Sequence, residues 1–504
     1  MLAETMQVWA GQDRALAALE EALSAAAADQ VEIFVAARTG EHTRFAGERV
    51  HQPQTIIECQ VMVRAVAGTG SARVAVSSLG AARDAVVAAC EMAKRRGGAG
   101  NRVPGNSVPG DTVRANTVRA NTGRANTGQA DTGQANTGQA NTGQANTGPH
   151  DVAGYADVGR PAGLWHEATL AWDVGARSVL AGQIMESAHS AGVTSAGVLT
   201  AAITELAVAT SGGQRCYAAA TEAGFSLTAR AGEASSYVAD LGRDASALGV
   251  RDRAAAAISQ AAATGEVIAV PDGVHDVVFG GLATGELIGF VPDFGFTAPA
   301  VAAGIGLAAT RPHAVLAPPD ITVADDATVE VGLPFPFDFD GTPKNRVELI
   351  SAGRVGSPVS DRASAAATGG LSTGHAHIAR ESSPAPEAAN LIMMPGGASE
   401  AELIAGVERG LYIQRLWYNR LVDAEAGTVV GTSRDGCFLI EDGRLTTGLT
   451  TGRFTESVLG ALARTDGVGS RLISQPVPNV WNGCCSAPAI RVRGFRFGSR
   501  QGKD

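Results

Sequence analysis

Lysine is almost missing from this 504-residue chain, since only Lys94, Lys344 and Lys503 stand among its 40 basic residues. With abundant Ala and Gly, that scarcity reflects a GC-rich coding background and carries no function. Positive charge is in deficit as well. Fifty acids against 40 bases leave a formal charge of −10, a balance that repels a phosphate backbone, so no nucleic-acid partner is expected. The six cysteines have no regular spacing, which excludes a disulfide framework and fits reduced, buried thiols. No apolar run approaches the length of about 18 residues that a membrane helix needs. The opening MLAETMQVWAGQDRA lacks the basic, apolar and small-residue regions of a secretory signal. A soluble cytoplasmic protein without a membrane partner is therefore expected.

The length calls for two or three folded units, and 45% hydrophobic residues can build them. Helical spacing of Leu16, Leu19 and Leu23 predicts a helix over 11–28. The alternating runs VEIFVAART, TRFAGERV, TIIECQVMVRAV and ARVAVSSL predict four strands, and 81–96 returns to helical period. This makes 1–98 an N-terminal α/β unit with a mixed sheet. From Asn101 to His150 the chain falls into five-residue units of the type N-T-G-Q-A. A pentapeptide solenoid would need a large apolar residue in each unit, where this chain has Thr or Gly. Residues 99–150 are thus expected to be a disordered linker. A middle α+β unit follows over 151–265, with helices near 168–192 and 252–263 around two strands joined at a Gly-Gly turn. Short apolar runs punctuated by Gly, Pro and Asp-Gly make 266–499 a β-rich domain, followed by a tail at 500–504. Within it Ser399 and Glu402 form a capping box ahead of a helix whose face is Leu403, Ile404, Val407 and Leu411. The fold class is α+β.

Several motifs suggest chemistry by their letters. Trp165-His166-Glu167 begins a zinc helix, but positions 170 and 171 are Leu and Ala, so a second imidazole is missing and a surface or capping role is expected. Gly304-Ile305-Gly306-Leu307-Ala308-Ala309 matches a dinucleotide fingerprint, with Asp325 or Asp326 at a ribose-binding distance. Pro299 and Pro312 deny it the leading strand and the helix. Gly370-Leu371-Ser372-Thr373-Gly374 has the letters of a nucleophile elbow with His375 beside it. Neither flank reads as the strand or helix an elbow requires. His375, His377, Cys484 and Cys485 are possible N/S metal ligands, yet no close-spaced pair anchors them.

Read in order, TRFAGERVHQ (43–52), PFPFDFDGTP (334–343), the loop ending in STGHAHI (357–378), LIMMPGGASEAELIAGVERGLYI (391–413), GTSRDGCFLIEDGRL (431–445) and SAPAIRVRGFRFG (486–498) resemble segments of the TldD/PmbA (TldE) peptidase family. The likeness spans nearly the whole chain outside the repeats. It implies a metallopeptidase scaffold whose catalytic members carry an H-E-x-x-x-H zinc motif after a strand, completed by a later cysteine. In HDVVFGGLATGELIGFVPDFGF (275–296), Gly289, Phe290 and Phe294 stand at the positions of the two histidines and the glutamate. Pro292 would break the helix that presents them. Cys484 or Cys485 echoes the third ligand, in a departing NGCCSAP context. The resemblance therefore implies the partner-type, TldE-like branch. Such a chain has no catalytic residues and no metal, pairs with a TldD-like catalytic subunit that holds the zinc, and helps hold a peptide. By this resemblance Ser372, Thr373, Gly374 and His375 are expected to line the shared peptide cleft.

Overall fold

The computed structural model describes residues 11–51, 53–98, 163–378, 384–477 and 480–498. The repeats and the 99–150 linker expectation lie outside the described residues, as does the 500–504 tail.

Helix α1 (Gln12–Leu23) leads into strands β1 (Gln30–Ala46), β2 (Gln54–Ala67) and β3 (Gly70–Val76) and helix α2 (Ala82–Gly98). After the undescribed interval come α3 (Val174–Ser190), β4 (Thr194–Thr210), β5 (Arg215–Ala231), β6 (Ala234–Gly242) and α4 (Val250–Ala263). The six strands form one sheet in the order β3-β2-β1-β4-β5-β6, and every pairing is antiparallel. Two expectations are corrected here. The N-terminal sheet is not mixed, and 1–98 and 151–265 are not separate units, because β1 pairs with β4 from Glu32–Thr210 to Ala46–Ala196. Local periodicity says that β1 is a strand and nothing about which distant strand covers its edge.

VEIFVAART and TRFAGERV, read as two strands, are one. Gly40 lies mid-strand, where a Cβ would stand 2.8 Å from Arg38 Nη1, so this glycine makes room for a side chain and does not turn the backbone. Ala15, Leu19 and Ala22 of α1 recur at helical spacing and, with the alanines of α2, cover Val31, Ile33 and Val35. Helices α3 and α4 cover the other end of the same face through Ile184, Ala188, Ala254 and Ile258 against Leu199, Phe225 and Leu227. All four helices thus lie on one side of the sheet.

The opposite side meets the C-terminal region. Phe335 and Phe337 pack on Phe34, Leu206 and Val208. Phe339 stacks on Phe34 with centroids 3.8 Å apart. Arg243 Nη2 donates to the Pro334 carbonyl at 2.6 Å while its guanidinium sits over the Phe335 ring. At Gly341 the φ of +74° suits glycine, and a Cβ would press on Gln214 and Val208. The PFPFDFDGTP segment is therefore a clamp between the sheet and the rest of the chain.

The C-terminal region contains strand β7 (Gly273–Phe279), helix α5 (Gly281–Ile288) and strands β8 (Val323–Asp325), β9 (Asn390–Met393), β10 (Arg409–Ile413), β11 (Leu416–Asp423), β12 (Ile473–Pro476), β13 (Cys484–Ala487) and β14 (Ile490–Phe497). In one sheet β8-β9-β13-β12 are neighbours, and in another β14-β7-β10. The pairs β9–β13 and β7–β10 are parallel. A shared core holds Phe279, Phe294, Phe296, Phe495 and Phe497. The Ser399–Glu402 capping box forms, with Ser399 N donating to Glu402 Oε2 at 2.7 Å. Its helix stops at Ala405, however, and Leu411 belongs to β10. Gly406 and the return of the chain into the sheet end the helix nearly two turns earlier than its spacing suggested. The fold as a whole is α+β, with a β-rich C-terminal part.

Candidate functional site

Where the uncovered end of the first sheet faces the C-terminal region, a groove of about 450 Å³ opens. One wall carries Arg38 and His42 of β1, Thr200 of β4, Glu222 of β5 and Asp240 of β6; the other carries Glu286 of α5, Arg415 and the Ser474–Pro476 stretch of β12. Those of β1, β4 and β5 follow from strand alternation, while Asp240 reaches the groove from the edge of the sheet. In β1, Arg38 and His42 point away from the helix-covered face that takes Ile33 and Val35. Arg38 Nη2 reaches Glu222 Oε1 at 2.8 Å. It crosses β4 where only the small Ala202, paired with Gly40 and with Glu222, intervenes. Asp240 pairs with Arg253 Nη1 at 2.5 Å and accepts the Ser474 N–H at 2.9 Å. That bond ties edge strand β6 to edge strand β12. A second crevice, of about 520 Å³, lies beyond this tie, lined by Tyr237, Arg253, Glu400, Tyr412, Gln414 and Arg471 among others.

The electrostatics are uneven. Burial pushes the Glu286 carboxyl above its ordinary value, opposed by the Asn419 amide, which donates at 2.8 Å, and by nearby Arg415. Burial likewise raises Glu400, against the hydroxyl of Tyr412 at 3.0 Å. His42 is held below its usual range by burial and then by Arg38 and Arg44. Its Nε2 is enclosed without a hydrogen-bond partner. Gln475 Nε2 donates to the Leu282 carbonyl at 2.9 Å, lying flat across α5 because residue 285 is glycine. The groove thus offers hydrogen-bonding side chains and an ion pair to a polar ligand.

Helix α5 ends at Ile288, and Gly289 is its C-cap. A separate 3₁₀ turn, Val291–Phe294, starts with Pro292 in its first positions. Phe290 packs against the C-terminal core and Phe294 is wholly inside it. A methylene-free glycine and two hydrocarbon rings offer a cation no lone pair, so these positions do not fit a zinc ion. Among the described residues no three His, Cys, Asp or Glu side chains converge as a metal site. Cys484 and Cys485 are buried on β13, and burial pushes the Cys484 thiol up to about 12.

The loop expected to line a shared peptide cleft lies apart from this groove. Ser372, Thr373, Gly374 and His375 are absent from the groove lining. Instead Thr373 Oγ1 donates to the Ser360 carbonyl at 3.0 Å, and Gly374 N donates to Ser372 Oγ at 3.1 Å. Gly374, at φ +75°, lies where a Cβ would stand 2.2 Å from the Pro343 carbonyl. Buried His375 places Nε2 3.0 Å from Asp325 Oδ1. The polar composition that suggested peptide contact serves the loop's own backbone. His377 is also buried, stacked on Phe339. The elbow letters follow the helix Arg362–Thr368 and no strand. Gly304 and Gly306 sit in a turn between two short helices. His166 precedes a one-turn helix, its Nε2 3.0 Å from the Gly163 carbonyl. Missed by the sequence reading were Arg38, His42, Glu222, Glu286, Arg415 and Gln475. Their signal was available as charge at alternate positions in otherwise apolar strands and one acid inside GLATGELIGF.

Among the described residues no helix is long and apolar enough to cross a membrane. Residues 272–499 match the family model described as the PmbA/TldA metallopeptidase C-terminal domain. Residues 115–152 match a model of pentapeptide repeats. No curated protein matches the chain. Among solved structures, TldE from Thermococcus kodakarensis superposes with a TM-score of 0.73 at 18% identity, covering 96% of this chain and 100% of that one. A Thermotoga maritima protein proposed to modulate DNA gyrase gives 0.73 at 14% identity, covering 96% and 99%. A Bacteroides thetaiotaomicron protein of like description gives 0.63 at 14%, covering 96% and 97%. These identities establish a shared fold. The match over 272–499 places that stretch as a C-terminal domain of the PmbA/TldA metallopeptidase type, on a chain that shares the TldE fold.

Proposed function

We propose that this chain is the zinc-free subunit of a heterodimeric peptidase that degrades or matures small peptides, its groove holding substrate while a TldD-like partner supplies the metal. The observation that carries this reading is the end of α5. A helix follows β7, yet Gly289 at its end and Phe290 and Phe294 beyond it present neither ligand nor base. Proteolysis by metal-activated water therefore has to draw its ion and its general base from elsewhere. What this chain's residues can do is bind and orient. Gln475 and Thr200 offer hydrogen bonds to an extended backbone. A cytoplasmic location belongs to the same proposal.

The test is reconstitution. The chain is purified alone and together with a TldD-like subunit, and cleavage of unstructured peptides is followed by mass spectrometry. The proposal expects a stable complex and cleavage only by the pair. If the chain binds peptides and forms no complex with any such subunit, a stand-alone peptide-binding module replaces the heterodimer.

A further inference from the structure

Three acids stand along the groove, and they differ in company. Glu222 is paired with Arg38 at 2.8 Å and Asp240 with Arg253 at 2.5 Å. Among the described residues Glu286 has no such partner. Its side-chain hydrogen bond is with the neutral Asn419 amide, which donates at 2.8 Å to Oε2. Arg415, the nearest influence of opposite sign, is engaged elsewhere: Nη1 lies 3.5 Å from Asp435, and the guanidinium sits 4.0 Å from the Tyr237 centroid and 4.5 Å from that of Trp417. A carboxylate taken out of water without a cation costs several kcal/mol, on the order of the Born penalties seen in protein interiors. Fold stability gives little reason for an acid at this place, because its neighbours along α5, Leu282, Ala283, Leu287 and Ile288, are apolar and buried.

We propose that Glu286 is a specificity residue of the groove and receives a cationic nitrogen of the bound peptide, an ammonium or guanidinium group. This rests on the peptide-holding reading and names the class of peptide it takes. The incoming cation completes a charge-assisted hydrogen bond in a recess walled by Leu282 and Leu241, where such bonds are about twice as strong as neutral ones. The Arg38–Glu222 pair further along is closed on itself, so discrimination falls to Glu286.

The experiment uses the full chain and fluorescent pentapeptides read by anisotropy. One is N-acetylated with a central lysine, one is N-acetylated with norleucine in its place, and one has norleucine with a free α-amine. The lysine peptide should bind about tenfold more tightly than its acetylated norleucine twin, a typical worth for one desolvated charge pair. If the α-amine is the group received, the free-amine peptide gains the advantage instead. Glu286→Gln, nearly the same shape, should bring whichever preference is found to near unity. Equal binding of all three by the wild type, or a preference that survives Glu286→Gln, overturns the assignment and leaves the groove reading standing. Binding of none of them removes the groove reading and this inference with it.

Discussion

His375 Nε2 lies 3.0 Å from Asp325 Oδ1, with both side chains wholly buried. Asp325 Oδ2 also accepts the backbone N–H of Ala389 at 2.6 Å and of Asn390 at 2.8 Å, and Lys344 Nζ stands 3.6 Å from Oδ1. The imidazole thus joins the TGHA loop to strands β8 and β9. It has a structural part, and that part can be tested.

His375→Ala removes a buried hydrogen bond to a charged group and should cost about 2–3 kcal/mol, read as a lowered midpoint in urea denaturation. Affinity for peptides should not change at temperatures where the variant is folded. Loss of peptide affinity with unchanged stability would return the loop to the binding site.

Stability should also fall in mild acid through this residue. Burial holds the His375 imidazole below its ordinary value, against the opposing pull of Asp325. The unfolded chain then binds a proton that the folded chain does not. Stability therefore rises with pH through the region just below the ordinary histidine value of about 6.5. The slope of stability against pH there should shrink in His375→Ala, and an unchanged slope would assign the effect to other groups.

The clamp predicts a packing cost. Phe337 is 1% exposed between the first sheet and the C-terminal region, so Phe337→Ala should lose about 3–5 kcal/mol. Calorimetry should show a lower Tm. A loss below about 1 kcal/mol would mean that the clamp is held by its backbone bonds alone.

At Gly285 a Cβ would stand 2.5 Å from Gln475 Nε2. Gly285→Val should push Gln475 off α5, break its bond to Leu282 and fill part of the groove. Peptide affinity should drop about tenfold with a smaller loss of stability. Undiminished binding would move the peptide out of this groove.

How far the sequence reached can be judged element by element. Helices α2 and α4 and the strands β2 and β5 follow their apolar period closely, since local spacing fixes a local conformation. The pairing of β1 with β4 was not legible, because nothing in VEIFVAART names a partner strand beyond residue 190. The end of α5 was legible in Pro292, which cannot continue a helix. The groove acids were hidden for another reason. A glutamate in an apolar helix and an arginine in a buried strand read as exceptions until the two elements are seen to face each other across a gap. Composition does not decide the part of the TGHA loop, because Gly, Ser and Thr suit a ligand's backbone and the chain's own backbone equally well.

The most direct measurement is the metal content of the lone chain, purified without chelators, exposed to excess zinc and passed through gel filtration before elemental analysis. The proposed role predicts well under one zinc per chain and no peptide cleavage by that fraction. One tightly retained zinc per chain, with cleavage that a chelator abolishes, would contradict it.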